Sequence, residues 1–253
     1  MMKTILITGA TAGIGKATAY KFAENKCRLI ITGRREKILN EVAFEINEKY
    51  KVEVLPVCLD VRKNEDVEKA VSGLPKEWRN IDVLVNNAGL AVGLNPFYDG
   101  VIDDWERMID TNVKGLLYVS KAVAKIMIEN RKGHIINISS VAGKETYPNG
   151  NVYCATKHAV DSLTNGMRME LLQFGIKVTL INPGAVETEF SIVRFKGDNQ
   201  RAKDTYKGYQ PLTGADIAEA IFYTTTLPQH ANINELTITP SAQATPMIFH
   251  KKN

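Results

Sequence analysis

The 253-residue chain lacks several features that mark specialised classes of protein. It has only three cysteines, Cys27, Cys58 and Cys154, and because they are widely spaced with no CxxC pair, neither a disulfide framework nor a metal site is expected. No apolar run approaches the roughly 20 residues that span a bilayer, and the amino terminus lacks the apolar stretch of a signal peptide. These absences predict a cytoplasmic protein that holds no metal and does not contact a membrane.

An excess of charge of one sign is also missing. The 32 basic and 28 acidic residues nearly cancel and leave a net charge of +4. No basic cluster is interleaved with aromatic residues, so nucleic-acid binding is not predicted. An apolar fraction of 44% and a charged fraction of 24% are ordinary for a globular chain and exclude disorder.

The chain does contain a regular alternation of short apolar runs and longer helical patterns. Strands are predicted at residues 4–8, 28–32, 53–59, 83–86, 134–138, 177–181 and 236–239, and helices at 14–24, 36–50, 64–72, 105–129, 152–174 and 215–225. This rhythm predicts one α/β domain over residues 1–253. We expect a doubly wound Rossmann-type fold, with a mostly parallel seven-stranded sheet and helices on both faces.

Two stretches depart from this rhythm. Residues 189–214 are polar and weakly periodic, and a long insertion of this kind predicts a lid over a ligand site. After the last predicted strand the chain ends in a polar tail, to which the sequence assigns little structure.

The first predicted strand runs into a glycine-rich turn, TGATAGIG, at residues 8–15. Glycines permit a tight turn and a close approach of the backbone to a pyrophosphate, and the following helix presents its amides to the anion. A plain strand-to-helix turn is the alternative. The residues predicted to surround the phosphates are Gly9, Thr11, Ala12, Gly13, Ile14 and Gly15.

The second predicted strand ends in Arg34 and Arg35, where a dinucleotide fold contacts the adenosine ribose. An acidic side chain there suits NAD, whereas arginine suits the 2′-phosphate of NADP through charge-assisted hydrogen bonds. The pair therefore predicts NADP(H) as the cofactor. Two solvated arginines, or an NAD enzyme that uses Glu36, are the alternatives.

Tyr153 and Lys157 stand four residues apart in a helical pattern and so share one face. A tyrosine is a poor acid at neutral pH, but an ammonium at ~4 Å would stabilise the phenolate by about 4 kcal/mol, which is roughly three pKa units. The pair predicts a proton-transferring phenol, although such pairs are also common on helix surfaces.

These motifs occur with several others in one order along nearly the whole chain. The others are Asp60-Val61, Asn86-Asn87-Ala88-Gly89, Asn112, Ile138-Ser139-Ser140 and Pro183-Gly184 with Thr188. In this set and order the sequence resembles the short-chain dehydrogenase/reductase family. The resemblance implies hydride transfer between NADP(H) and a small-molecule alcohol or carbonyl.

The resemblance also implies roles for individual residues. Tyr153 would be the general acid/base, and Lys157 would lower its pKa and bind the nicotinamide ribose. Ser140, chosen over Ser139, would donate a hydrogen bond to the substrate oxygen, and Asn112 would hold a water of a proton relay. Further cofactor contacts would come from Asp60, Val61, Asn87, Gly89, Pro183, Gly184, Val186 and Thr188. Members of the family usually form homotetramers.

The segment 188–198, with Tyr206, is similar to a narrower group, the bacterial and fungal NADP-dependent 3-hydroxy acid dehydrogenases. This similarity implies L-serine, L-allo-threonine or 3-hydroxypropionate as substrates, and Arg194, with Lys196, as the carboxylate ligand. A solvated lid charge or a phosphate contact is the alternative for Arg194. The function alternatives are a broad carbonyl, sugar or steroid reductase and a non-catalytic NADPH-binding regulator.

Overall fold

The structure, a computed structural model, describes residues 2–252. Seven strands alternate with helices along these residues, close to the predicted positions. The strands are β1 (Thr4–Ile7), β2 (Arg28–Gly33), β3 (Val54–Cys58), β4 (Val83–Asn86), β5 (Gly133–Ile138), β6 (Ile176–Pro183) and β7 (Glu235–Ile238). They form one sheet in the order β3-β2-β1-β4-β5-β6-β7. All pairings between these strands are parallel, so the predicted Rossmann-type α/β fold is confirmed.

Nine α-helices lie within residues 2–252. They are α1 (Gly13–Glu24), α2 (Glu36–Tyr50), α3 (Asn64–Ser72), α4 (Ile102–Ile109), α5 (Leu116–Glu129), α6 (Asn151–Leu171), α7 (Glu189–Arg194), α8 (Asn199–Asp204) and α9 (Gly214–Thr226). None of the helices in this range is long and apolar enough to cross a bilayer.

The sheet has an apolar core on each face because successive side chains of a strand alternate between faces. In β1, Ile5 and Ile7 pack with α1, α2 and α9 on one face, whereas Leu6 packs with α3 and α5 on the other. Both faces are therefore covered, as the continuous apolar runs of the strands predict. This arrangement leaves the carboxyl-terminal edge of the sheet as the place where loops from several strands meet.

The predicted helix over residues 105–129 is divided by a π-helical turn at Asp110–Gly115. Within this turn the Asn112 side chain accepts a hydrogen bond from Leu90 N at 2.8 Å and donates one to Leu90 O at 2.8 Å. Gly115 lies against Val61, where a Cβ would come within 2.7 Å of a Val61 methyl carbon. Apolar periodicity carries no signal for such a turn, which is common near functional sites.

Segment 189–214 contains more helix than its weak periodicity suggests. Thr188 accepts a hydrogen bond from Phe190 N at 3.2 Å and caps α7, and Asp198 accepts one from Arg201 N at 3.0 Å and caps α8. Left-handed conformations at Lys196 (φ 53°) and Gly197 (φ 94°) reverse the chain between the two helices. Six residues are too few to show a helical period, so the caps are the only local signal.

The carboxyl-terminal tail is more structured than predicted. Gln243 and Phe249 form an antiparallel bridge, and Lys252 N donates to Gly208 O at 2.7 Å. The Phe249 ring lies 4.9 Å from that of Tyr209. The expectation of little structure was wrong because the contacts with Gly208 and Tyr209 are long-range, and a single bridge within the tail leaves no periodic pattern in the sequence.

His134 in β5 is a buried titratable side chain away from the cavity at the sheet edge. Its Nε2 is hydrogen-bonded to Thr179 Oγ1 at 2.7 Å, and its Nδ1 has no partner among residues 2–252. Burial, with smaller effects of Lys177 and Lys3, lowers the pKa of His134 to about 3. The imidazole is therefore neutral in the folded protein at physiological pH.

This burial predicts an acid-sensitive fold. As the pH falls below ~6.5 the unfolded chain protonates His134 first, so the free energy of unfolding drops by about 2 kcal/mol between pH 8 and pH 5. Urea unfolding at both pH values measures this drop. In the His134→Val variant the drop shrinks by that amount, whereas the exposed His230→Val control retains it. An equal pH dependence in His134→Val and the wild-type protein would contradict the assignment.

Candidate active site

A cavity of about 800 Å³ lies at the carboxyl-terminal edge of the sheet. It is lined by the ends of β1, β2, β4, β5 and β6, by segment 189–214 and by the carboxyl-terminal tail. All residues predicted for cofactor, substrate or catalysis line it except Gly15, Asn112 and Lys196. A crevice outside the carboxyl ends of parallel strands is where ligands bind in this class of fold.

The glycine-rich turn between β1 and α1 forms one wall of the cavity. Gly9 (φ 67°) and Gly13 (φ 53°) take left-handed conformations, which favour glycine. Asn87 at the end of β4 donates hydrogen bonds to Thr8 O at 2.9 Å and Gly9 O at 3.1 Å. Gly15 lies behind the turn, where a Cβ would collide with Gly9 O. Asn87 and Gly15 thus support the shape of the turn.

The first turn of α1 leaves its amides open to the cavity. Its N-cap residue, Ala12, provides no side-chain hydrogen bond, and no acidic side chain lies in that turn. Unpaired amides and the positive end of the helix dipole attract an anion. The wall therefore has the geometry and the charge to hold a phosphate group.

Arg34 and Arg35 border the cavity at the end of β2 and differ in their contacts. Arg35 donates from Nε and Nη2 to Thr11 Oγ1 at 3.2 and 2.9 Å, and from Nη1 to Glu189 Oε2 at 2.9 Å. The Arg34 side chain has no hydrogen bond to any of residues 2–252 and is exposed. Arg34 is thus a free cation at the rim, whereas Arg35 joins the glycine turn to α7.

Asp60 lies beyond β3 and already has a strong partner. The Arg62 guanidinium donates from Nε to both carboxylate oxygens at 3.0 Å and from Nη2 at 2.6 Å. These bonds hold the pKa of Asp60 below its usual range, against the effect of burial. The sequence motif that includes Asp60 gives no indication of the Arg62 contact.

Helix α6 and the end of β5 bring Tyr153, Lys157 and Ser140 to the same cavity. Lys157 is 6% exposed, donates from Nζ to Ile138 O at 2.9 Å, and lies 5.9 Å from the centroid of the Tyr153 ring. Ser140 Oγ accepts from Ala142 N at 3.1 Å and faces the cavity. Ser139 Oγ instead donates to Lys157 O at 3.0 Å, so it ties β5 to α6.

The pKa values of Tyr153 and Lys157 do not follow the predicted coupling. Burial raises the pKa of Tyr153 above its usual value, nearby Tyr147 raises it further, and Ser140 and Arg194 oppose this rise. Burial also lowers the pKa of Lys157 to about 8. The prediction that the pKa of Tyr153 falls to near neutrality is therefore wrong. Removal from water penalises both the phenolate of Tyr153 and the ammonium of Lys157.

Asn112 and Lys157 lie beside each other next to Gly89. Its Nδ2 donates to Thr156 Oγ1 at 3.0 Å as well as to Leu90 O, so its amide is held within the protein. A Cβ on Gly89 would lie 3.3 Å from Asn112 Oδ1 and 3.6 Å from Lys157 Nζ. The absence of a side chain at Gly89 thus keeps these two polar groups adjacent.

Arg194, at the end of α7, projects over the Tyr153 ring. Its Nη2 donates to the Tyr147 hydroxyl at 2.8 Å, and its guanidinium lies 5.7 Å from the centroid of the Tyr153 ring. Lys196 does not line the cavity; its Nζ forms an ion pair with the buried Asp104 at 2.7 Å. The sequence interpretation that placed Lys196 beside Arg194 as a carboxylate ligand is therefore wrong.

Several residues of the cavity had no signal in the sequence. Tyr147, six positions before Tyr153, follows a polar loop with no periodic pattern. The tail also contributes to the wall, where Gln243 Oε1 accepts from Ala185 N at 2.8 Å. The remaining unpredicted lining residues include Phe190, Tyr209, Met247, Phe249 and Lys251. No group of three metal-ligating side chains occurs within residues 2–252.

The motifs and this geometry agree with a family comparison. The sequence profile of the short chain dehydrogenase family matches residues 3–199, which is more than half of the chain. The chain therefore belongs to the short-chain dehydrogenase family, as its motifs predict, and by class it is an oxidoreductase.

Individual relatives narrow the comparison. A Salmonella typhi protein named NADP-dependent 3-hydroxy acid dehydrogenase is 48% identical over 241 residues, covering 95% of this chain and 96% of that protein. A Schizosaccharomyces pombe protein with the same name is 46% identical over 242 residues, covering 95% and 93%. The closed form of a serine dehydrogenase complexed with NADP+ matches with a TM-score of 0.92 at 43% identity, covering 99% and 100%. The predicted similarity to 3-hydroxy acid dehydrogenases is confirmed.

The buried ammonium predicts that Lys157 reduces stability. Because its pKa is lowered to about 8, the penalty grows as the pH falls from ~10.4 and is complete below about 8. Its bond to Ile138 O offsets part of this cost, so Lys157→Met is expected to raise the free energy of unfolding by about 1–2 kcal/mol at pH 7. The gain shrinks towards pH 10, because the wild-type amine is then neutral. Urea unfolding without cofactor measures it, with the exposed Lys125→Met as control. A clear loss of stability in Lys157→Met at pH 7 would refute this prediction.

Proposed function

We propose that the protein is an NADP(H)-dependent dehydrogenase that interconverts short 3-hydroxy acids and their carbonyl counterparts. The substrate class is that of L-serine, L-allo-threonine and 3-hydroxypropionate. The observation that supports it most directly is the guanidinium of Arg194, which faces the cavity that Tyr153 lines. Its Nη1 has no hydrogen bond to any of residues 2–252, so this charged donor is available to an anionic acceptor in the cavity.

The residues around the glycine turn fit a dinucleotide. The open amides of α1 suit the pyrophosphate, and Arg34 and Arg35 suit a 2′-phosphate. Asp60, Val61, Asn87 and Gly89 border the adenosine side. The nicotinamide side is bordered by Pro183, Gly184, Val186 and Thr188. When bound, NADP(H) supplies or accepts the hydride, and both named relatives carry NADP in their names.

The protein's own groups move the proton. In reduction, Tyr153 donates its phenolic proton to the carbonyl oxygen of the substrate, and the raised pKa keeps that proton in place at neutral pH. Ser140 donates a hydrogen bond to the same oxygen and stabilises its developing charge. In oxidation Tyr153 takes the proton, so this direction is favoured as the pH rises.

Lys157 and Asn112 support this transfer. The Lys157 ammonium, fixed by Ile138 O, is placed to bind the nicotinamide ribose hydroxyls. Asn112 holds the backbone of Leu90 beside it and is proposed to hold the relay water. Segment 189–214 acts as the lid, because it carries Arg194 over the cavity. Cytoplasmic location and assembly as a homotetramer stay predictions.

The apolar part of the cavity favours a second candidate, a broad carbonyl reductase. Phe190, Met247 and Phe249 line it, and such side chains accept an uncharged ketone as readily as a hydroxy acid. Arg194 distinguishes the two candidates, because only an anionic substrate gains from its charge.

Substrate kinetics test the proposal. Wild-type enzyme with NADP+ is expected to turn over L-serine or 3-hydroxypropionate with a kcat/KM at least tenfold above that for 2-propanol. In Arg194→Met the KM for the acids rises about tenfold or more, and that for 2-propanol is unchanged. Arg201→Met, which removes an exposed arginine of α8, is the matched control. An unchanged KM for L-serine in Arg194→Met would reject the carboxylate role.

Cofactor choice gives a separate prediction. Because the Arg34 side chain has no protein partner, Arg34→Gln is expected to raise the KM for NADP+ about tenfold and to leave that for NAD+ unchanged. Lys37→Gln removes the same charge from the exposed first turn of α2 and serves as control. Equal effects of Arg34→Gln on both cofactors would contradict a 2′-phosphate contact.

A further inference from the structure

We propose that Tyr147 is a specificity-determining residue, which together with Arg194 forms a two-donor site for the carboxylate of the substrate. This inference rests on the proposed function. It assigns the preference for anionic substrates to a pair of side chains, one from the loop before α6 and one from α7. Neither Tyr147 nor Arg194 alone forms this two-donor site.

The Tyr147 ring has a fixed position. It lies flat against Gly150, where even a Cβ would collide with the ring. The backbone supports this contact, because Gly150 N donates to Tyr147 O at 3.2 Å. The phenol is therefore held in the loop before α6, six residues before Tyr153, by a glycine that no other residue type can replace without moving the ring.

Arg194 is oriented by this phenol. Its Nη2 donates to the Tyr147 hydroxyl at 2.8 Å, and its guanidinium lies between the two tyrosines, 5.3 Å from the ring centroid of Tyr147 and 5.7 Å from that of Tyr153. Its carbonyl oxygen accepts from Gly93 N at 3.0 Å. Side chain and backbone are thus both fixed. Within residues 2–252 neither Nε nor Nη1 has a hydrogen-bond partner, and because Nε is shut off from solvent, Nη1 is the donor that a ligand in the cavity can reach.

Tyr147 has a hydrogen-bond donor to offer as well. Burial raises the pKa of its phenol, with Arg194 opposing this effect, so the hydroxyl keeps its proton. Because the oxygen accepts from Arg194, the O–H is free to donate to another acceptor. The Tyr147 and Tyr153 rings lie against the same guanidinium and line the same cavity, so the two phenols are close. A molecule bound at the Tyr153 hydroxyl therefore lies near both free donors.

A carboxylate is the acceptor that uses both donors. Its two oxygens accept from Arg194 Nη1 and from the Tyr147 hydroxyl, and a charged acceptor makes both bonds stronger than a neutral one. An uncharged alcohol has no group for this site. Loss of the Tyr147 hydroxyl therefore weakens binding of the acid and loosens Arg194. Any effect of Tyr147 on the pKa of Tyr153 acts on acids and uncharged alcohols alike, so it does not produce selectivity.

The test compares charged and uncharged ligands in Tyr147→Phe. The KM for L-serine and 3-hydroxypropionate is expected to rise about tenfold, with kcat within about twofold and the KM for 2-propanol unchanged. Competition against the NADP+-bound enzyme by butyrate and by its uncharged match, butyramide, gives a readout apart from turnover. Only butyrate inhibition weakens in the variant. An unchanged KM for both acids, or an equal loss for acids and 2-propanol, would overturn the proposal.

Two further variants keep the test decisive. Gly150→Ala retains the hydroxyl but displaces the ring, so it is expected to cause the same selective loss for butyrate, and retention of wild-type selectivity would count against the proposal. Tyr206→Phe is the matched control for disturbance of the lid, because its hydroxyl contacts Ser191 Oγ at 2.6 Å and Val186 O at 2.8 Å instead of Arg194. This control is expected to affect acids and 2-propanol equally.

A double-mutant cycle separates failure of this proposal from failure of the proposed function. If the hydroxyl acts with Arg194, the effect of Tyr147→Phe on butyrate inhibition disappears in the Arg194→Met background. If Arg194→Met loses butyrate selectivity and Tyr147→Phe does not, the proposal fails and the proposed function stands. If the wild-type enzyme does not distinguish butyrate from butyramide, both fail.

Discussion

The removal of Lys157 from water is the constraint on which the site depends. Its ammonium has one hydrogen bond of 2.9 Å, to the carbonyl of Ile138 at the end of β5, and its own carbonyl accepts from Ser139. These two bonds fix α6 against the edge of the sheet and place Tyr153 in the cavity. Burial of a positive charge is costly, so the parts of the fold that enclose it on both sides are required for the site to form.

Much of the fold could be predicted because it follows from local patterns. The continuous apolar run of β1 and the alternation of strands with helices predict a parallel sheet covered on both faces. The turn after β1 could be predicted from its glycines, because Gly9 and Gly13 adopt the left-handed conformations that favour glycine. The features that escaped prediction depend on side-chain contacts that hydrophobic periodicity does not encode. The Asp60–Arg62 pair, the π-helical turn at Asn112 and the folded tail leave no periodic signal.

The pKa values of Tyr153 and Lys157 were also not predictable from the sequence pattern. A helical spacing of four residues correctly puts Tyr153 and Lys157 on one face, but it carries no information about burial, which raises one pKa and lowers the other. The result is a phenol that keeps its proton and an amine that releases its proton more easily than usual. Such a phenol carries the proton that reduction needs but is a weaker acid than a free tyrosine, and the Ser140 hydrogen bond and the Arg194 charge moderate its pKa.

The central claim is that the Tyr153 hydroxyl transfers the proton in the cavity that also holds the nicotinamide. Turnover and NADPH binding by Tyr153→Phe, measured side by side on one folded preparation, test it most directly. The account predicts a loss of turnover of about 100- to 10,000-fold with NADPH affinity within about threefold of wild type. Full turnover by this variant would contradict it.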